Sequence, residues 1–347
     1  MTNADSTRGS ICILPRLKGL GGPASFSARL STALNACGYS VHHNPFALDT
    51  RAILVMGGTR RLDWLWQARR RGVRIVQRLN GMNWVHRKLP TGPRHFIKAE
   101  IGNWILSTIR RRLADRIIYQ SRFTQDWWTT VYGRVSAPAE VIYNGVDLQA
   151  FSPQGPERPP ADIMRVLMVE AHLGGGMEPG LENAVRLVQL LNQGGDMRWE
   201  LQVAGDVPAE IRQRWSQRSG DWLKWAGILP REQVAGLDRS AHMLFSADLN
   251  AACPNSVVEA LACGLPVIAF ATGALPEMVG SEAGQVVPYG SNFWNLEPPL
   301  VTPLAEAARQ VASAQADYRL AARRRAEQVF NIDQVVQSYL QVLAPFS

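Results

Sequence analysis

Short runs of apolar residues alternate along this chain with longer stretches in which apolar positions return every three or four residues. Residues 11–14 form the first run. After the turn-rich Gly19-Leu20-Gly21-Gly22-Pro23, the residues Phe26, Leu30, Ala33 and Leu34 keep helical spacing until Gly38. Further runs at 39–42, 53–56, 73–76, 116–119 and 141–142 predict strands, the last closed by the turn dipeptide Asn144-Gly145. The alternation stops at residues 152–162, where four prolines exclude both a continuing helix and a central strand. It then restarts, with strands predicted at 166–169, 200–204, 243–245 and 266–269 and helices at 182–191 and 256–262. Strands alternating with helices in this way predict α/β domains, each a doubly wound parallel sheet covered on both faces. The proline-rich segment divides the chain into an N-terminal domain, residues 1–153, and a second, residues 163–330.

Charge sharpens this division. Residues 1–150 carry 22 Lys and Arg against 8 Asp and Glu, a balance of +14, whereas residues 151–347 carry 15 against 21, a balance of −6. A basic first half points to an anionic partner: a phosphorylated acceptor, an anionic membrane surface or nucleic acid. Nucleic acid is disfavoured, because no recognition module or stacking-aromatic motif accompanies the charge. Arg69-Arg70-Arg71 and Arg110-Arg111-Arg112 read as exposed helix faces. Trp104, Ile105, Leu106 and Ile109 adjoin the second run and read as the core-facing side of a helix with a basic outer face, with membrane contact as the alternative. No stretch nears the roughly 18 apolar residues of a spanning helix, and residues 1–10 lack the apolar core of a secretion signal. Cys12, Cys37, Cys253 and Cys263 show no framework spacing and read as buried thiols, so a cytoplasmic location is expected, with peripheral contact at the inner membrane face. His42 and His43 read as structural residues rather than metal ligands.

The stretch from Cys253 through Pro254, Asn255, Ser256, Val257, Val258 and Glu259 to Gly264 and Pro266 carries the clearest chemistry. Asn255 or Ser256 is a natural N-cap for a helix over 256–262. The first amides of that helix have no intrahelical partners and, with the dipole, suit a phosphate. Glu259, one turn in, is placed to accept hydrogen bonds from a ribose diol alongside. The stretch closely resembles the signature of the family 4 retaining glycosyltransferases, which adopt the two-domain GT-B fold. Other segments resemble that family in the same order: Gly21-Gly22 with Gly38-Tyr39-Ser40-Val41; Ala114-Asp115 through Ser121; Val141 through Asp147 with Phe151-Ser152-Pro153; and Thr272 through Val279.

The resemblance implies two Rossmann-like domains facing across a cleft, with a last helix (about 333–345) joining the N-terminal domain. It implies a retaining, metal-independent transfer from a nucleotide sugar (UDP- or GDP-linked) to a polysaccharide, lipid-linked or small-molecule acceptor, with no cofactor beyond the donor. Glu259 matches the second acid of the family's E-x7-E motif, which binds ribose. Amides around Asn255, Ser256 and Val257 would hold the diphosphate, and Gly21 and Gly22 would approach it from the other domain. Three departures stand out. Position 251, expected to be the first acid, is Ala251, and Asp248 lies three residues early. The family's Arg and Lys that grip the diphosphate are absent, with Ala171 and Pro179 near their positions, so Arg16 or Lys18 is the expected replacement. The family histidine near the transferred sugar is also displaced: Asn80 stands at the end of that strand, with His86 further along, and these two are the catalytic candidates. The departures leave an alternative, a catalytically impaired member acting as a binding or partner subunit.

Overall fold

The computed structural model describes residues 9–17, 19, 22–174, 178–194 and 197–343. They form two compact units, one running to Gly145 and resuming at Ile332, the other spanning Val146–Asn331.

In the first unit six strands, β1 (Ser10–Leu14), β2 (Ser40–His42), β3 (Thr50–Met56), β4 (Arg74–Leu79), β5 (Arg116–Tyr119) and β6 (Ala139–Val141), form one parallel sheet in the order β2-β1-β3-β4-β5-β6. Ala52–Met56 of β3 are all buried, because helices cover both faces. Helix α1 (Gly22–Ala36) buries Phe26, Leu30 and Leu34, one residue per turn. Helices α2 (Leu62–Arg70), α3 (Pro93–Thr108) and α4 (Arg122–Tyr132) follow β3, β4 and β5.

The helix face expected around Arg110-Arg111-Arg112 needs correcting. A π turn at Ile109–Leu113 extends α3 and turns the successive residues Ile109 and Arg110 inward, at 0% and 1% exposure, while Trp104 points out at 61%. Arg110 Nε donates to the Tyr119 hydroxyl at 2.7 Å, so only Arg111 and Arg112 of that run are exposed.

The second unit repeats the plan. Strands β7 (Ile163–His172), β8 (Arg198–Asp206), β9 (Leu223–Gly227), β10 (Met243–Ser246), β11 (Val267–Phe270) and β12 (Gly284–Val287) form a parallel sheet in the order β12-β11-β10-β7-β8-β9. Helices α5 (Glu178–Gln193), α6 (Ala209–Ser219), α7 (Arg231–Arg239), α8 (Asn255–Ala262), α9 (Leu275–Val279), α10 (Thr302–Ser313) and α11 (Gln315–Val329) cover it. The last helix, α12 (Ile332–Leu343), returns to the first unit and buries Val335, Val336, Tyr339 and Leu340 in its core.

The crossings between units lie at Gly145/Val146 and Asn331/Ile332. The proline-rich segment falls inside the second unit, anchored to α7: Arg239 pairs with Glu157 at 2.6 Å and donates to the Ser152 carbonyl at 3.2 Å. Proline there ends regular structure without ending the unit, because side chains tie the segment down.

In each sheet the strand order reverses beside the first strand, between β1 and β3 and between β7 and β10. Ligands of doubly wound sheets bind beyond the carboxyl ends of the strands at such a reversal.

Candidate functional site

Helix α8 begins beyond the carboxyl end of β10, on one side of the second unit's reversal point. The residue before it is Pro254 (φ −68°, ψ 128°), and no side chain caps the helix. This corrects the expected Asn255 or Ser256 cap. Proline's ring fixes its φ and it carries no acceptor, so Asn255 is already helical and residue 254 offers the first-turn amides no side-chain oxygen. Asn255 and Ser256 are half-buried, while Val257, at 0% exposure, contributes its side chain to the core. The opposite end of the helix is closed, for Arg323 Nη1 donates to the Ala262 carbonyl at 2.7 Å, placing a cation where the dipole is negative. A start that its N-cap residue leaves uncapped and a satisfied carbonyl at the far end suit an anion at the first.

The loop into α8 is held by the turn after β11. Gly273 adopts φ +58°, and a Cβ there would lie 2.5 Å from the Ala251 nitrogen, so only glycine fits. Beside it Ala274 N donates to the Ala251 carbonyl at 2.8 Å. Within the loop Asn250 is left-handed (φ +56°) and 4% exposed, with neither polar atom of its amide hydrogen-bonded.

Glu259 is 9% exposed and lies by Asp238 of α7. Burial first, and then the charge of Glu259, holds the Asp238 carboxyl well above the ordinary aspartate range; the nearby Arg239 opposes the shift only partly. At the reversal point stand two more half-buried acids, Glu170 near the end of β7 and Asp248 just past β10. Burial raises both carboxyls, and the Asp248 charge adds to the rise at Glu170. The exposed Ala171 and Pro179 bring no cation to this edge.

In the first unit the carboxyl edge carries Arg16, exposed and in no ion pair among the described residues, and Gly22, the exposed first residue of α1. Lys18 and Gly21 lie outside the described residues. Asn80, just past β4, accepts at Oδ1 from Gln120 Nε2 (2.5 Å) and Arg78 Nη1 (3.4 Å), and its carbonyl accepts from Trp128 Nε1 (2.7 Å). Arg78 itself is 1% exposed and bonded to neutral groups, the Tyr339 hydroxyl at 2.9 Å and Asn144 Oδ1, over the Phe26 ring. His86 sits in a separate network. It is 4% exposed with Nε2 2.7 Å from Glu100 Oε1, and Glu100 also takes Arg87, whose guanidinium, followed by His86, holds the carboxyl down to about 2.

The sequence reading thus found the α8 residues, Arg16, Gly22 and Asn80 at carboxyl edges, and it placed His86 with them although it is engaged elsewhere. It missed Glu170, Asp238, Gln120 and the buried Arg78. A polar residue inside an apolar strand, as in Arg-Ile-Val-Gln-Arg-Leu, was the available signal for the last.

Among the described residues no group of three or more His, Cys, Asp or Glu could hold a metal, and no helix is long and apolar enough to cross a membrane. No curated protein sequence matches the chain. Solved structures do. Sucrose-phosphate synthase from Thermosynechococcus elongatus has a TM-score of 0.75 at 18% identity, over 98% of this chain and 100% of that one. Anabaena HepE, solved with UDP and glucose, scores 0.70 at 16% over 98% and 100%. WaaG, a glycosyltransferase involved in lipopolysaccharide biosynthesis, scores 0.69 at 13% over 97% and 100%. At such identities the likeness establishes the fold, α/β of GT-B type. Family profiles carry the kinship: residues 6–150 match "Glycosyltransferase Family 4" and residues 173–295 match "Glycosyl transferases group 1". These two matches span most of the chain and agree with the motif order and the fold, and so the chain belongs to the family 4, group 1 glycosyltransferases.

Proposed function

We propose that this glycosyltransferase takes a nucleoside diphosphate sugar as donor, transfers the sugar with retention of anomeric configuration to a carbohydrate, lipid-linked or small-molecule acceptor, and needs no metal ion. The observation that carries the donor assignment is the uncapped start of α8 with Glu259 one turn inside it. The diphosphate accepts from the amides around Ser256 and Val257. Fixed amide dipoles stabilise the charge that grows on the diphosphate as the glycosidic bond breaks, without reorganising during the step. Glu259 accepts from the ribose hydroxyls. HepE has also been solved with UDP-glucose, which favours a uridine donor here. The acceptor falls to the basic first unit, and the reaction is assigned to the cytoplasm.

Titration calorimetry with UDP, GDP and ADP tests the donor site. Hydrogen bonds to a charged group contribute about 1.5–3 kcal/mol, so Glu259→Ala is expected to weaken the preferred nucleotide by about 10- to 100-fold. Affinity equal to that of the parent sinks the assignment. Turnover of a donor-sugar panel, measured with and without a chelator, tests catalysis and its independence of metal together.

A further inference from the structure

Helix α3 is built inside out. A surface helix ordinarily turns its apolar stripe to the core. The residues α3 buries are small or polar, Ala99, Asn103 and Ser107, while Ile97, Ile101 and Trp104 are 58%, 50% and 61% exposed. At about 100° per residue those three fall within an arc of about 60°. The helix is locked in this orientation: Asn103 Nδ2 donates to the Asn83 carbonyl at 2.8 Å, and Asn103 Oδ1 accepts from the Asn83 nitrogen at 2.9 Å. Rotation that buried the stripe would break both bonds.

The exposure is concentrated. Among the described residues fourteen large apolar side chains are exposed, and six of them fall within residues 85–104. Large apolar side chains aligned and exposed along one helix face in this way mark a binding face. Its charge identifies the partner. Residues 85–104 hold four Lys and Arg and a single acid. That acid, Glu100, is taken up by Arg87 and His86, whereas Arg94 and Lys98, exposed beside the stripe, form no ion pair among the described residues. A second copy of this face would bring like charges together.

We propose that α3 lies flat on an anionic lipid bilayer, with Ile97, Ile101 and Trp104 in the headgroup boundary and Arg94 and Lys98 against lipid phosphates. Apolar side chains flanked by unpaired cations are what such an interface accommodates. The contact does not depend on the donor site, because vesicle binding is measured without nucleotide.

Flotation of the full chain with vesicles of phosphatidylcholine, alone or mixed with phosphatidylglycerol, tests it. Binding is expected to the mixed vesicles, weakly to the neutral ones, and to fall as salt rises. Arg94→Gln with Lys98→Gln is expected to weaken partition by about 25-fold, roughly fivefold per charge. Ile97→Ser with Ile101→Ser and Trp104→Ser is expected to abolish it with no loss in melting temperature, since these side chains are exposed. Absence of the parent from the mixed vesicles overturns the proposal, as does parent-like binding by the serine variant. So does a self-association that the serine variant breaks while vesicle binding stays intact, which would make the face a protein interface.

Discussion

Asp238 illustrates how one buried group shapes stability. Its carboxyl sits at 1% exposure with Oδ2 unpartnered, and burial and Glu259 push its ionisation upward. In the unfolded chain the same group ionises in the ordinary range. Between that range and the raised value only the folded state binds the proton, so stability falls as pH rises. Glu170 and Asp248 act in the same sense. Asp238→Asn removes the contribution of this residue. Its melting temperature is expected to gain on the parent from about pH 4 upward, and parallel curves from pH 4 to 8 would refute the account. None of this was legible in sequence, because Asp238 lies 21 positions before Glu259 and only the packing of α7 on α8 brings the two together.

Elements were legible where local chemistry and packing agree. The central strands are apolar runs, and α1 and α5 keep helical spacing. The edge strands β9 and β12 (Leu-Lys-Trp-Ala-Gly and Gly-Gln-Val-Val) were missed, for an edge needs no continuous apolar run and most of their residues are only partly buried. The orientation of α3 was misread because its apolar residues look like a core face, and the deciding bonds belong to Asn83 and Asn103, far from any motif. The α8 site was read through its pattern of residues, although the cap was not, since Pro254 offers nothing to bond. Helix α4 shows the opposite arrangement: Ser121 Oγ accepts from the Thr124 nitrogen at 3.2 Å. Ser121→Ala is therefore expected to cost about 1 kcal/mol in denaturant unfolding, and an unchanged midpoint would show that the cap contributes nothing.

At the scale of the molecule, the halves differ in charge as the sequence indicates, +14 for residues 1–145 with 332–347 and −6 for residues 146–331. The boundary was less legible, because prolines mark where regular structure stops and only packing decides which unit a segment joins. Helix α12 belongs to the first unit although it comes last in the chain. It supplies Val336, Tyr339 and Leu340 to that core, and Tyr339 bonds the buried Arg78. A chain ending at Asn331 is expected to lose the first unit's unfolding transition and keep the second's. Calorimetry that still resolves both transitions would contradict this placement.

The two crossings run side by side. Val146 bridges Asn331, and a Cβ on Gly145 would lie 3.0 Å from the Ile332 Cα. The second unit is thereby an insertion with adjacent ends, and the first closes on itself without it. Joining Gly145 to Ile332 through a few residues would span no gap in the first unit. A genetic exchange bounded by those two points would replace one whole α/β unit by another and leave the host sheet uncut. Under the proposed division of labour, donor choice and acceptor choice become separately heritable.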